Sequence, residues 1–200
     1  MVAPRRPGAS PPREFYGVDS RDLAPQLLNK LLVRGGRAGR IVEVEAYAGA
    51  ADPASHAFRG RTARNATMFG PPGHLYVYFS YGMHFCANVV CGRDGEASAV
   101  LLRGLTPVAG IEEMRAARGP AARRDRDLCS GPGKLCQALG LDRSFDGADL
   151  VTGDLGVTFV DDGTPAPPAP GVSGRIGISV AAEVPWRFYV PGAVGISRAR

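Results

Sequence analysis

From His74 to Cys91 the chain reads HLYVYFSYGMHFCANVVC: an alternating run, a Tyr-Gly pair and a return run. Period-two geometry puts His74, Tyr76, Tyr78 and Ser80 on one face of the first run and Leu75, Val77 and Phe79 on the other. Gly82 is where the chain reverses at least cost. Two runs joined this closely can only be antiparallel neighbours, so the fold must be built around antiparallel pairing. Tyr81 and Met83 fall at the tip. Large apolar side chains there need a partner that receives them, unless the tip folds back onto the core.

The rest of the chain repeats the theme. With 27 Gly and 17 Pro in 200 residues, turns are frequent and long helices are not expected. Leu31–Arg34 reads as a strand, Gly35–Gly39 as a turn and Arg40–Tyr47 as the returning strand. Ala97–Arg103 makes a third strand beside the tyrosine hairpin, after a turn at Gly92–Gly95. Leu155–Val160, Arg175–Val180 and Trp186–Val190 are further strands, the first two separated by the Pro-rich loop Thr164–Pro170. Helices are predicted over Arg21–Lys30, capped by Asp19 or Ser20, over Gly110–Arg118, and after Ser130, with Pro132 in the first turn and Gly140 at the end. Residues 1–15 are rich in Pro, Arg and small side chains and read as a flexible N-terminal tail, leaving residues 16–200 as a single domain. The expected fold class is α+β: a mixed domain with a curved, mainly antiparallel β-sheet, short surrounding helices and a protruding tyrosine-tipped β-hairpin.

Composition narrows the function. No run approaches the ~18 apolar residues of a membrane helix, and the Arg-Arg pair near the start has no apolar segment behind it. A cytoplasmic chain that makes no contact with membranes is expected. Cys86, Cys91, Cys129 and Cys136 form no CxxC pair, so buried free thiols are expected rather than zinc or a redox pair. A net charge of +5 points weakly to a polyanionic partner. Of 24 basic residues only Lys30 and Lys134 are lysines, which leaves few amines for Schiff-base chemistry.

Several familiar signatures fail. Gly133-Lys134 lacks the upstream Gly and the following Ser/Thr of a phosphate loop, and the metalloprotease, α/β-hydrolase and zinc-deaminase patterns are absent. On Arg40–Tyr47, alternation sends Val42, Val44 and Ala46 to the core and Ile41, Glu43, Glu45 and Tyr47 to the other face. Two carboxylates about 6.6–7 Å apart in Cα spacing and a phenol thus share one face. This is either a half-exposed strand with solvated acids or the acid/base floor of a cleft.

Five segments decide between them. RIVEVEAY (Arg40–Tyr47), SHAFRGRTARNATMF (Ser55–Phe69), PGHLYVYFSYGMHFCANVV (Pro72–Val90), AVLLRGLTP (Ala99–Pro107) and DLCSGPGKLCQALGL (Asp127–Leu141) resemble, in order, the alkyladenine (mammalian-type 3-methyladenine) DNA glycosylases, and RFYV (Arg187–Val190) resembles their closing strand. The resemblance runs from about Asp22 to Ser197. It implies a base-excision-repair enzyme that flips an alkylated or deaminated purine out of duplex DNA and hydrolyses its N-glycosidic bond, as a monomer without metal or cofactor. By motif position, Glu45 corresponds to the general base and Arg103 to an Arg beside the attacking water. Tyr47, His56 and Tyr78 correspond to the walls around the flipped base, and Asn88 to the side chain that crowds the amine of guanine. Tyr81, with Met83 beside it, corresponds to the wedge that fills the vacancy in the stack. Val44, His84 and Ala87 depart from the family pattern, near the wedge and core, where base preference and insertion depth are set.

The chemistry suits these residue types. Breaking the C1′–N bond builds positive charge on the sugar, which a carboxylate can stabilise while accepting a proton from water. Arg103 should help keep that carboxylate ionised. Arg61, Arg64 and Lys134 are candidates for phosphate contacts, or else solvated surface cations. Two rivals remain at this stage: a helix-hairpin-helix glycosylase, loosely echoed by LCSGPGK, and a non-catalytic nucleic-acid-binding domain.

Overall fold

The structure, a computed structural model, describes residues 8–197. Its strands are β1 (Leu31–Arg34), β2 (Arg37–Tyr47), β3 (Leu75–Ser80), β4 (His84–Cys91), β5 (Ser98–Ala109), β6 (Val157–Val160), β7 (Gly171–Ser173) and β8 (Arg187–Tyr189). All eight join one open sheet in which the path runs β3-β4-β5-β2-β1-β6. β8 pairs with β2 and β7 pairs with β8; every pairing is antiparallel. Four short helices, α1 (Arg13–Tyr16), α2 (Ser20–Leu27), α3 (Ile111–Arg118) and α4 (Pro132–Leu139), complete an α+β fold of the predicted class. The helical rival is thereby excluded.

Alternation builds the core as expected in β3, where Leu75 and Val77 enter the main apolar cluster. Tyr76 on the opposite face packs into a second, smaller cluster with Ala57, Met68 and Val90. α4 lies on β4 and β5, and α2 on β2, closing the main core with Leu23, Leu27, Leu135 and Leu139. The four cysteines are free and buried.

Several expectations are corrected. Strict alternation fails in β2: the pairing with β5 shifts register between Ile41 and Glu43 and again before Val44, a bulge that turns Ile41 into the core with Val44 and Ala46. The helix expected over Arg21–Lys30 begins under the Asp19 cap but stops at Leu27, because Asn29 takes a left-handed conformation. Ser130 is not the cap of α4. Gly131 occupies that position at φ 138°, which only glycine tolerates readily. Arg175–Val180 is not a strand. Its Ile176 N–H goes to the Glu45 carboxylate rather than to a neighbouring strand, and Arg175 turns inward. Of the expected tail, residues 1–7 lie outside the described residues. The stretch 8–15 docks: Ala9 bridges to Asp161, Ser10 Oγ donates to the Leu150 carbonyl, and Arg13 pairs with Asp149 at 2.6 Å. No helix among the described residues is long and apolar enough to cross a membrane.

Candidate active site

β2 is the foundation of the site. Its bulge and its two edges, β5 on one side and β8 on the other, leave Glu43 and Glu45 completely buried, so neither is a solvated acid. The Glu45 carboxylate accepts three hydrogen bonds. Arg103 Nη1 lies 3.2 Å and the Tyr47 hydroxyl 2.9 Å from Oε2; the Ile176 backbone N–H lies 2.7 Å from Oε1. Burial pushes the Glu45 carboxyl above its ordinary range, against the opposing pull of Arg103 and the two other donors. Arg103 is itself buried, but the two carboxylates outweigh that cost and raise its affinity for its proton.

The three donors to Glu45 form part of the wall of a cavity of about 440 Å³. That size is usual for small-ligand pockets, about 300–1,000 Å³. Tyr47, Arg103 and Ile176, which bond to Glu45, line the space together with His56, Tyr76, Tyr78 and Asn88. Period-two placement brings Tyr76 and Tyr78 near each other, with ring centroids 5.4 Å apart, and the His56 ring stands edge-on to Tyr78 at 4.5 Å. His56 Nδ1 lies 3.3 Å from the Tyr76 hydroxyl. Burial, with Arg64 nearby, lowers the His56 pKa, which favours a neutral ring. Burial raises the Tyr76 phenol to about 12 and pushes those of Tyr47 and Tyr78 up further. The walls are therefore neutral aromatic surfaces with donor hydroxyls. Asn88 is nearly buried and donates to the Tyr76 carbonyl.

Tyr81 occupies the turn between β3 and β4 at φ 51° and is 81% exposed; Met83 is 69% exposed. Tyr81 also borders the cavity, and its hydroxyl donates to the Gly177 carbonyl at 3.2 Å. The cations expected at phosphates divide. Arg64 sits over the Tyr78 ring and donates to the Phe79 carbonyl, and Arg61 lies over Phe69. Lys134 lines a second, open cavity of about 1000 Å³ that adjoins the first through Arg103, Ile176 and Gly177. Arg124 and Arg126 line this second space too. They were missed, although the RRDRD run lies close to Lys134 in sequence. Also missed were Tyr76 as a wall, and Arg175 and Asp52, whose pairing holds the segment over Glu45. Among the described residues no three His, Cys, Asp or Glu side chains are grouped to hold a metal ion.

The profile of the family described as Methylpurine-DNA glycosylase (MPG) matches residues 14–194. The chain belongs to this family. Relatives named "Putative 3-methyladenine DNA glycosylase" include one from Burkholderia lata, 61% identical over 192 residues, covering 95% of this chain and 92% of the relative. One from Streptomyces avermitilis is 50% identical over 184 residues, 89% and 86% of the two chains, and one from Carboxydothermus hydrogenoformans is 46% identical over 192 residues, 94% and 98%. The family membership makes the chain a DNA glycosylase of DNA repair that acts on damaged DNA, and removes the purely binding reading.

Proposed function

We propose that this glycosylase draws an alkylated or deaminated purine out of duplex DNA into the aromatic cavity and hydrolyses its N-glycosidic bond with a water activated by Glu45. The observation that carries this reading is the Glu45 carboxylate, buried behind a cavity of aromatic rings and held by Arg103, Tyr47 and Ile176. As the C1′–N bond breaks, its electron pair goes to the departing base. Water adds to C1′, and Glu45 takes the proton that water loses. An abasic site and a free base remain.

Rings such as Tyr47, Tyr76 and Tyr78 favour a cationic base by about 0.5–2 kcal/mol. 3-Methyladenine and 7-methylguanine carry that charge and leave readily, so they are the preferred substrates; hypoxanthine and ethenoadenine are neutral and leave more slowly. Asn88 narrows the cavity against the amine of normal guanine. Tyr81 and Met83 enter the stack where the base left, recovering part of the few kcal/mol that flipping costs. Lys134 and the neighbouring Arg side chains take the strand's phosphates. No lysine lines the purine cavity among the described residues, and Lys30 is paired with Asp161, so the reaction is hydrolysis without strand cleavage.

The test is excision from duplexes carrying each of the four lesions, by the parent chain and by Glu45→Gln. Release of 3-methyladenine and 7-methylguanine by the parent alone is expected. No release by the parent, or equal release by the variant, overturns the reading. A covalent enzyme–DNA adduct trapped by borohydride overturns the hydrolytic assignment.

A further inference from the structure

Behind Glu45 lies a second buried carboxylate that the reaction as described leaves unused. Glu43 Oε1 accepts from Arg103 Nε at 3.1 Å, Arg187 Nε at 2.6 Å and the Ser197 hydroxyl at 2.7 Å, and Oε2 accepts from the Ser197 backbone N–H at 2.5 Å. Arg103 spends all three guanidinium nitrogens in this cluster: Nε on Glu43, Nη1 on Glu45 and Nη2 on the Ser197 hydroxyl at 3.2 Å. Its orientation is thus set by Glu43 and Ser197 as much as by Glu45. The arrangement depends on Gly104. A Cβ there would lie 2.4 Å from the Gly195 carbonyl, so only glycine lets the 195–197 segment reach Glu43.

We propose that Glu43 is a positioning residue for base excision, which aims Arg103 at Glu45 and divides the guanidinium charge between two carboxylates. This rests on the role given to Glu45 above. A carboxylate paired alone with an arginine is a poor base, because the cation stabilises its ionised form. The second negative charge offsets that: Glu43 works with burial to raise the Glu45 carboxyl, against Arg103. The other groups facing the pair are Arg187 from β8, Tyr47 from β2 and Arg175, the last neutralised by Asp52. Glu43 makes no contact with the cavity. Its effect should therefore fall on the chemical step and not on lesion binding.

The experiment is single-turnover excision of 7-methylguanine from a duplex across the acidic and neutral pH range, with lesion-duplex affinity and thermal unfolding measured alongside. Parent, Glu43→Gln, Glu43→Asp and Ser197→Ala are compared. Glu43→Gln is expected to bind within about twofold of the parent, to lose roughly 10–100-fold of the plateau rate, and to carry its acid limb to lower pH. Glu43→Asp and Ser197→Ala keep the charge. They should lower the plateau with the limb where the parent has it, and they carry the test if Glu43→Gln does not fold. A Glu43→Gln rate profile equal to the parent's, or one lowered with its limb unmoved, overturns the proposal, as does a fully active Glu43→Asp. A parent that releases no base overturns the proposed function and this assignment with it. An active parent with Glu45→Gln silent and Glu43→Gln unchanged overturns this assignment alone.

Discussion

Arg175 and Asp52 form a doubly hydrogen-bonded ion pair, at 2.5 and 2.9 Å, with neither side chain exposed. The pair fastens the irregular segment after β7 to the loop after β2. The residue next to Arg175 is Ile176, whose N–H reaches Glu45, while the Arg175 guanidinium also lies 4.7 Å from the Tyr47 ring centroid and 5.1 Å from that of Trp186. One pair thus sets a wall of the cavity and a donor to the Glu45 carboxylate.

Asp52→Asn should accordingly cost both stability and rate. Leaving Arg175 buried without its carboxylate is expected to cost about 3–5 kcal/mol. Urea unfolding measures the first effect. Single-turnover excision in the fraction that stays folded measures the second, which should fall at least about tenfold as Ile176 leaves Glu45. A variant that loses stability but excises at the parental rate would show that the segment does not hold the base.

Glu45→Gln should be inactive and yet no less stable. A general base contributes about 10²–10⁴-fold, so excision should fall by that much or more. Burial holds the Glu45 carboxyl above its ordinary value in the folded chain, so folding takes up a proton in the pH window between the two values. The contribution of Glu45 to stability therefore falls as pH rises through that window and stays low above it. Thermal unfolding should show the variant gaining on the parent over the same window, with an equal or higher Tm at neutral pH. A lower Tm there would mean that Arg103 and the two other donors outweigh the cost of burying the charge.

The same raised carboxyl fixes the pH dependence of the parent. Only ionised Glu45 accepts a proton, so the rate should rise with pH through one acid limb lying above the ordinary carboxylate range. The Tyr47 hydroxyl, pushed far up by burial and by Glu45, stays a donor throughout and adds no alkaline limb near neutrality. An acid limb at the value of an exposed glutamate would refute the buried-base arrangement.

Much of this was legible in the sequence, and the failures have physical causes. The β1–β2 and β3–β4 hairpins follow from the glycine-rich turn expected at Gly35–Gly39, of which residues 37–39 belong to β2, and from Tyr81-Gly82 between alternating runs; the family resemblance places Tyr47, His56 and Tyr78 around the cavity. The bulge at Ile41–Glu43 was not legible, because one extra residue leaves no trace in a pattern that still reads as alternating. The partners of Glu43 were not either. Arg187 is 144 and Ser197 is 154 residues away, and neither spacing nor composition shows that such distant residues meet. Arg175–Val180 read as a strand because period two describes any extended chain, whereas here its backbone serves Glu45 instead of a neighbour.

Tyr81→Ala should separate binding from chemistry. The ring is exposed and, among the described residues, its hydrogen bond is to the Gly177 carbonyl, so its loss should change folding stability by no more than about 0.5 kcal/mol. Stacking of an aromatic ring on a base is worth about 1–3 kcal/mol, so lesion-duplex affinity should fall roughly 5–150-fold. Once the duplex is saturated with enzyme, excision should proceed within an order of magnitude of the parent. Unchanged affinity for a lesion duplex would count against the wedge.

The second cavity makes a prediction of a different kind, in salt. Arg124, Arg126 and Lys134 line a broad space that shares Arg103, Ile176 and Gly177 with the aromatic cavity. On the proposed reading, a nucleotide turned into the aromatic cavity would remain attached to its strand, and these cations line the neighbouring space that its phosphates would enter. Each phosphate contact releases counterions, so log K should fall linearly with log salt, and losing one contact should reduce that slope by about 1. Arg126→Ala and Lys134→Ala should each do so for undamaged and damaged duplexes alike, because phosphates carry no lesion identity. Arg124 is paired with Asp127 at 2.9 Å and must exchange that partner for a phosphate, so Arg124→Ala should change the slope less. Slopes equal to the parent's for both Arg126→Ala and Lys134→Ala would place the strand on another face of the protein.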